Sequence, residues 1–136
     1  MHVSMQLCIP SFFKREKNAL HFQVGRQGEN LATRYLKGKK YRIIDRNVHV
    51  GKHDEIDIIA FDPADQTLVF VEVKTRSREE SEYLPEMNIT WEKRKRMTRA
   101  AKRWITEKDF DGGYRIDVVC VAGGNIVDHF LEINCV

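Results

Sequence analysis

No uninterrupted apolar run in this 136-residue chain approaches the ~20 residues needed to span a bilayer, so no helical membrane anchor is expected. Cysteine is scarce. Cys8, Cys120 and Cys135 lie too far apart for paired zinc-ligand spacing, and an odd count leaves no complete disulfide framework. Reduced thiols and a cytoplasmic location are the expectation. Residues 1–20 lack a long apolar core preceded by basic residues, so they read as a loosely held N-terminal arm rather than a secretory signal. A large excess of one charge is also missing. With 23 Lys and Arg against 20 Asp and Glu, the net charge is +3, which permits a nucleic-acid partner without demanding one. A content of 42% hydrophobic and 32% charged residues is that of one globular domain, assigned to residues 21–136.

What is present is concentrated in two apolar runs, Glu55 to Phe61 and Leu68 to Arg76, separated by the turn-forming Asp62-Pro63-Ala64-Asp65-Gln66. They read as a β-hairpin. Side chains alternate along a strand, so Leu68, Phe70, Glu72 and Lys74 share one face, as do Asp57, Ile59 and Phe61. Pairing Phe61 with Leu68 sets Ile59 against Phe70 and brings Asp57 beside Glu72. A one-residue slip would send Asp57 to the other face. Two buried carboxylates so close together either take up a proton or share a cation. An oxygen shell of Asp57, Glu72, the Val73 carbonyl and water suits Mg²⁺ or Mn²⁺. Lys74, further along the same face, is placed to stabilise charge on a phosphodiester under attack by water. The alternative is that this end of the sheet is wet, with Glu72 and Lys74 an ordinary ion pair.

The remaining elements follow from periodicity. Val24 to Lys37 reads as a helix stopped by Gly38, with Glu29 at the edge of its apolar stripe. Tyr41 to Val48 is a first strand, and His49 to Asp54 a wet turn in which neither His49 nor His53 is needed by an oxygen-ligand site. Ser77 to Asn88 is a polar loop beside the site, with Arg76 at its start. Thr90 to Lys108 is a helix with a buried stripe of Met97, Ala100, Ala101, Trp104 and Ile105. Its other faces are basic, with only Glu92 and Glu107 opposing. Arg76, Lys93, Arg96, Arg99 and Arg103 are therefore candidate phosphate contacts, Lys93 nearest the site. Tyr114 to Ala122 is a fourth strand, in which Asp117 is expected to pair with Arg115 or a neighbouring strand. Gly123-Gly124-Asn125 turns the chain into Ile126 to Phe130. Leu131 to Val136 is left open between a strand and a helical turn.

Asp57, a loop and then Glu72-Val73-Lys74 resembles the PD-(D/E)XK nuclease signature, without its proline. The wider pattern is Gly28-Glu29-x-x-Ala32-x-x-Tyr35-Leu36, Arg46-Asn47, Glu55-Ile56-Asp57, Phe70 to Arg76 and a basic helix. It resembles the bacterial YraN family across roughly residues 22–122, and that family is similar to archaeal Holliday-junction resolvases. The resemblance implies an α/β, restriction-endonuclease-like fold with an αβββαβ core, a mixed sheet covered by helices, and a metal site that Glu29 joins as an auxiliary acid. The expectation is a metal-dependent endonuclease acting on DNA, with a non-catalytic nucleic-acid-binding module on the same fold as the competing reading. A homodimer would suit a four-way junction by symmetry, but no interface motif marks one.

Overall fold

The structure is a computed structural model and describes residues 23–76 and 89–133. The N-terminal arm, the Ser77 to Asn88 loop and residues 134–136 lie outside the described residues. Helix α1 spans residues 23–38. Strands β1 (Arg42–Val50), β2 (Asp54–Asp62) and β3 (Thr67–Arg76) follow. Helix α2 (Trp91–Lys108), β4 (Tyr114–Ala122) and β5 (Asn125–Phe130) complete the order. This is the αβββαβ order expected, extended by one strand.

The helix ends have local causes. Helix α1 ends at Gly38, as expected, but the left-handed residue that closes it is Lys40 (φ 74°) rather than the glycine, with Lys40 N–H donating to Lys37 O at 2.9 Å and Tyr41 N–H to Leu36 O at 3.0 Å. That double closure satisfies the last carbonyls without requiring glycine. At the start of α2 the Thr90 hydroxyl accepts the Lys93 N–H at 3.1 Å, and left-handed Asp109 closes the other end.

The five strands form one sheet in sequence order. The first three are an antiparallel meander, β4 lies parallel to β3 through the α2 crossover, and β5 returns antiparallel. The hairpin register is the one that alternation requires, with Phe61 opposite Leu68 and Ile59 opposite Phe70. A slip would have turned Ile59 and Phe70, both packed under α2, to the α1 face. Ala32 and Leu36 of α1 cover Ile58, Ala60, Val69, Val71 and Val119 on one face. Met97, Ala100, Ala101 and Trp104 of α2 cover Ile59, Leu68, Phe70, Ile116 and Val118 on the other. Trp104 meets Phe70 edge to face, with ring centroids 5.7 Å apart. The result is a three-layer sandwich in which β4 is buried from Arg115 to Val121. Leu131 to Ile133 extends no strand, although Ile133 N–H donates to Ile116 O at 2.8 Å. No helix among the described residues is long and apolar enough to cross a membrane.

Candidate metal and nucleic-acid site

The β2–β3 ladder ends at Ile58 and Val71, whereas β3 stays paired with β4 as far as Arg76. The sheet therefore forks, with β1 and β2 on one side and β3 and β4 on the other. Asp57 and Glu72 are the next residues along each branch. In place of the lost ladder bond, Asp57 Oδ2 accepts the Val73 N–H at 2.8 Å. Glu72 is 7% exposed, and its Oε1 is approached by Lys74 Nζ at 3.6 Å and by Lys93 Nζ, from the first turn of α2, at 3.4 Å. A cleft beside the carboxyl ends of strands is where open α/β sheets place their ligands.

Burial, and then the charge of Glu72, push the Asp57 carboxyl up to about 7, against the smaller opposing pull of the Val73 N–H and a further rise from Glu29. The fork thus holds a carboxyl group that its own surroundings leave short of positive charge. One oxygen of each acid is engaged, Asp57 Oδ2 by the Val73 N–H and Glu72 Oε1 by the two lysines, so the second oxygen of each is what a hard cation would take. No cage of three or more His, Cys, Asp or Glu side chains exists among the described residues. The shell expected from the sequence needs only two.

Gly28 sets Glu29 over this fork. A Cβ at Gly28 would collide with the Thr75 hydroxyl, so glycine is what lets α1 lie directly on the end of β3. Glu29 is hydrogen-bonded to Asn47, whose backbone is left-handed (φ 51°), and lies in the field of Arg46, Glu55 and Glu72. Burial raises its pKa most. Arg46 in turn donates to Asn30 Oδ1 at 2.7 Å. The Arg46-Asn47 pair singled out in the sequence is therefore the β1 support for the middle of α1.

The basic residues of α2 divide. Lys93 reaches the acid pair. Arg99 grips Asp54 with both arms, at 2.9 and 2.7 Å, and holds that carboxyl below its ordinary range. Arg96 adds to the same field. Arg103 lies against Gly51 in the β1–β2 turn and pairs with Glu107 at 3.4 Å. Arg96 and Lys93 also line a small recess with His53, Asp54, Glu55 and Met97. Arg76 ends β3 and is half-buried. Arg99 and Arg103, expected as phosphate contacts, thus also tie the helix to the β1–β2 hairpin. That role is invisible in sequence because Asp54 lies 45 positions away.

A second polar cluster sits away from the fork. Asp117 is fully buried and accepts from Arg115 Nε at 3.1 Å, from Glu132 N–H at 3.2 Å and shares a 2.8 Å contact with His129 Nε2. The expected Arg115 pairing is present, together with a β5 partner. Arg115 continues to Asp62, Asp65 and the Tyr41 hydroxyl, and His129 Nδ1 lies 3.0 Å from the Tyr35 hydroxyl. Burial pushes the Tyr41 phenol up to about 12. With each of its charged groups paired within the cluster, this network reads as structural.

Residues 28–121, from the glycine beneath Glu29 to the end of β4, match the uncharacterised protein family UPF0102. A UPF0102 protein of Chlorobium limicola is 44% identical over 119 residues, covering 80% of this chain and 89% of that one. One from Geotalea uraniireducens is 42% identical over 109 residues (79% and 83%), and one from Desulfosudis oleivorans is 47% identical over 104 (74% and 80%). Like these relatives, this chain belongs to the uncharacterised family UPF0102, the YraN family.

Proposed function

We propose that this protein is a divalent-metal-dependent endonuclease that hydrolyses phosphodiester bonds in DNA. The observation that carries the reading is the fork. Buried Glu72 and half-buried Asp57 meet there, the latter pushed up to about 7, with two lysines and a basic helix beside them. A sheet that needed only a wet end would have left these acids in solvent. The donor set suits Mg²⁺ or Mn²⁺, with Asp57, Glu72 and the Val73 carbonyl as ligands. Such an ion, when bound, supplies polarisation of the phosphoryl oxygen and a water of lowered pKa.

The chain's own residues do the rest. Lys74 and Lys93 both lean on one oxygen of Glu72, and either ammonium can turn to a phosphate oxygen on which charge develops. Glu29, with its pKa raised, is an auxiliary acid able to hold the water or protonate the departing oxygen. Lys93, Arg96, Arg99 and Arg103, with Arg76 at the end of β3, draw in and align the DNA backbone. No side chain serves as nucleophile, so hydrolysis passes through no covalent intermediate.

The test is cleavage of labelled four-way junction, flap, single-strand and linear duplex DNA in Mn²⁺, Mg²⁺ or EDTA, by wild type and Lys74→Ala. Cutting that needs the metal and is lost in Lys74→Ala supports the reading. Salt-sensitive, metal-indifferent binding without cutting moves the assignment to a non-catalytic nucleic-acid-binding module.

A further inference from the structure

We propose that Trp91 is a stacking platform for an unpaired base, so that the DNA this protein engages is single-stranded or locally opened. The inference rests on the nucleic-acid reading above and names the substrate class of that site.

The two tryptophans of the chain have opposite environments. Trp104 belongs to the buried stripe of α2 and packs on Phe70. Trp91, the first residue of the same helix, lies off that stripe and is 57% exposed, the most exposed large hydrophobic side chain among the described residues. Its recorded neighbour is a cation, with Lys95 Nζ one turn on and 5.9 Å from the ring centroid. An indole that offers its face to solvent beside an ammonium is what stacks a base while the charge takes the adjoining phosphate.

The surroundings select the occupant. Helix α2 carries Lys93, Arg94, Lys95, Arg96, Arg99, Lys102, Arg103 and Lys108 against only Glu92 and Glu107, so the surface complements a polyanion rather than an apolar protein face. Lys95, Thr98, Arg99 and Lys102 line a shallow groove on the helix, and Trp91 lies one turn before Lys95 on the same side. Lys93, two residues beyond the indole, reaches Glu72 at the fork. A strand that lays its phosphates along the groove sets a base on Trp91 in the first turn of α2, the turn from whose inner side Lys93 reaches the acid pair. In a continuous duplex every base face is already covered by its neighbours, and the indole has nothing to stack on. A single strand or the opened end of a branch supplies a free face.

The full chain in EDTA, so that no strand is cut, is titrated with an oligothymidylate and with a long linear duplex, which has no unpaired loop and few exposed ends. Tryptophan fluorescence and the anisotropy of labelled copies are followed together. Trp104 is shielded, so quenching reports Trp91. The expected result is quenching by the single strand and much less by the duplex. Trp91→Leu weakens single-strand binding about tenfold while changing duplex binding less than about twofold, and Trp91→Phe restores most of the loss. Because Trp91 contributes no core contact, these variants keep the wild-type thermal midpoint. Single-strand binding without quenching, or equal weakening of both DNAs by Trp91→Leu, overturns the platform and leaves the nucleic-acid reading standing. No binding of either DNA at low salt overturns both.

Discussion

Replacing Asp57 by Asn is expected to stabilise the metal-free protein at alkaline pH, although it removes a proposed ligand. The Asp57 carboxyl keeps its proton to about 7 in the folded chain, against an ordinary 3.8. The native state therefore binds more protons than the unfolded state between those limits, and stability falls as pH rises from about 4 to 7 before levelling off. At 1.36 kcal/mol for each pH unit, the roughly three-unit window caps the effect at about 4 kcal/mol. The attraction of Lys93 and relaxation of the fork make 2 to 4 kcal/mol, to order of magnitude, the expected range. Asn has nearly the same shape, keeps an acceptor for the Val73 N–H and carries no charge. Urea denaturation in EDTA across pH 4.5 to 8.5 would measure the difference, with the slope m checked for constancy. Asp57→Asn should match wild type near the acid end and exceed it at the alkaline end. Adding Mn²⁺ should then narrow the gap, because an ion bound only by the native wild type raises its stability by mass action. A variant less stable than wild type at pH 8, or a difference that does not change with pH, would refute the account of the fork as a charge-deficient site.

Other outcomes follow from the same contacts. Gly28→Ala should cost about 1–3 kcal/mol in a urea melt, because the new methyl must displace Thr75 and lift α1 from β3. Its effect on cleavage should exceed its effect on folding, since Glu29 moves with the helix. Arg115→Met leaves Asp117 buried without its main cation and should destabilise by about 3–5 kcal/mol, while the double change with Asp117→Leu should recover much of the loss. Asp54→Ala removes the Arg99 grip and should lower stability by at most about 1 kcal/mol, less in high salt. Because the Asp54 carboxyl is held below its ordinary value, that contribution is present above about pH 4 and disappears as the pH falls, which paired melts at pH 3 and 7 would show.

Much of this architecture was legible because it is local or periodic. The alternation of Leu68, Phe70 and Glu72 against Phe61, Ile59 and Asp57 admits one register, and β4 was bounded to the residue by its apolar run between turn signals. The basic α2 and its buried stripe followed from helical spacing, although Thr90 caps the helix rather than beginning it. Gly38 marked the end of α1 correctly, but the left-handed turn falls on Lys40, where a double hydrogen bond tolerates a residue less suited to it than glycine. His49 lies in β1 rather than a turn, because pairing with Glu55 extends the strand beyond its apolar residues. Trp91 was passed over, although a tryptophan off the buried stripe of a basic helix was itself a signal.

Sequence by itself determined the order of the elements, the hairpin register and the identity of the acids and lysines, because each depends on spacing of two, of 3.6 or on turn chemistry over a few residues. Tertiary structure alone decided that the sheet forks between β2 and β3, that Glu29 arrives over the fork on a glycine, and that Lys93 from α2 meets Glu72. It also decided that Asp54 holds Arg99 and that Asp117 is shared with His129. Those are contacts between segments far apart in the chain, and their geometry is set by how two helices settle on a twisted sheet, which no local pattern records.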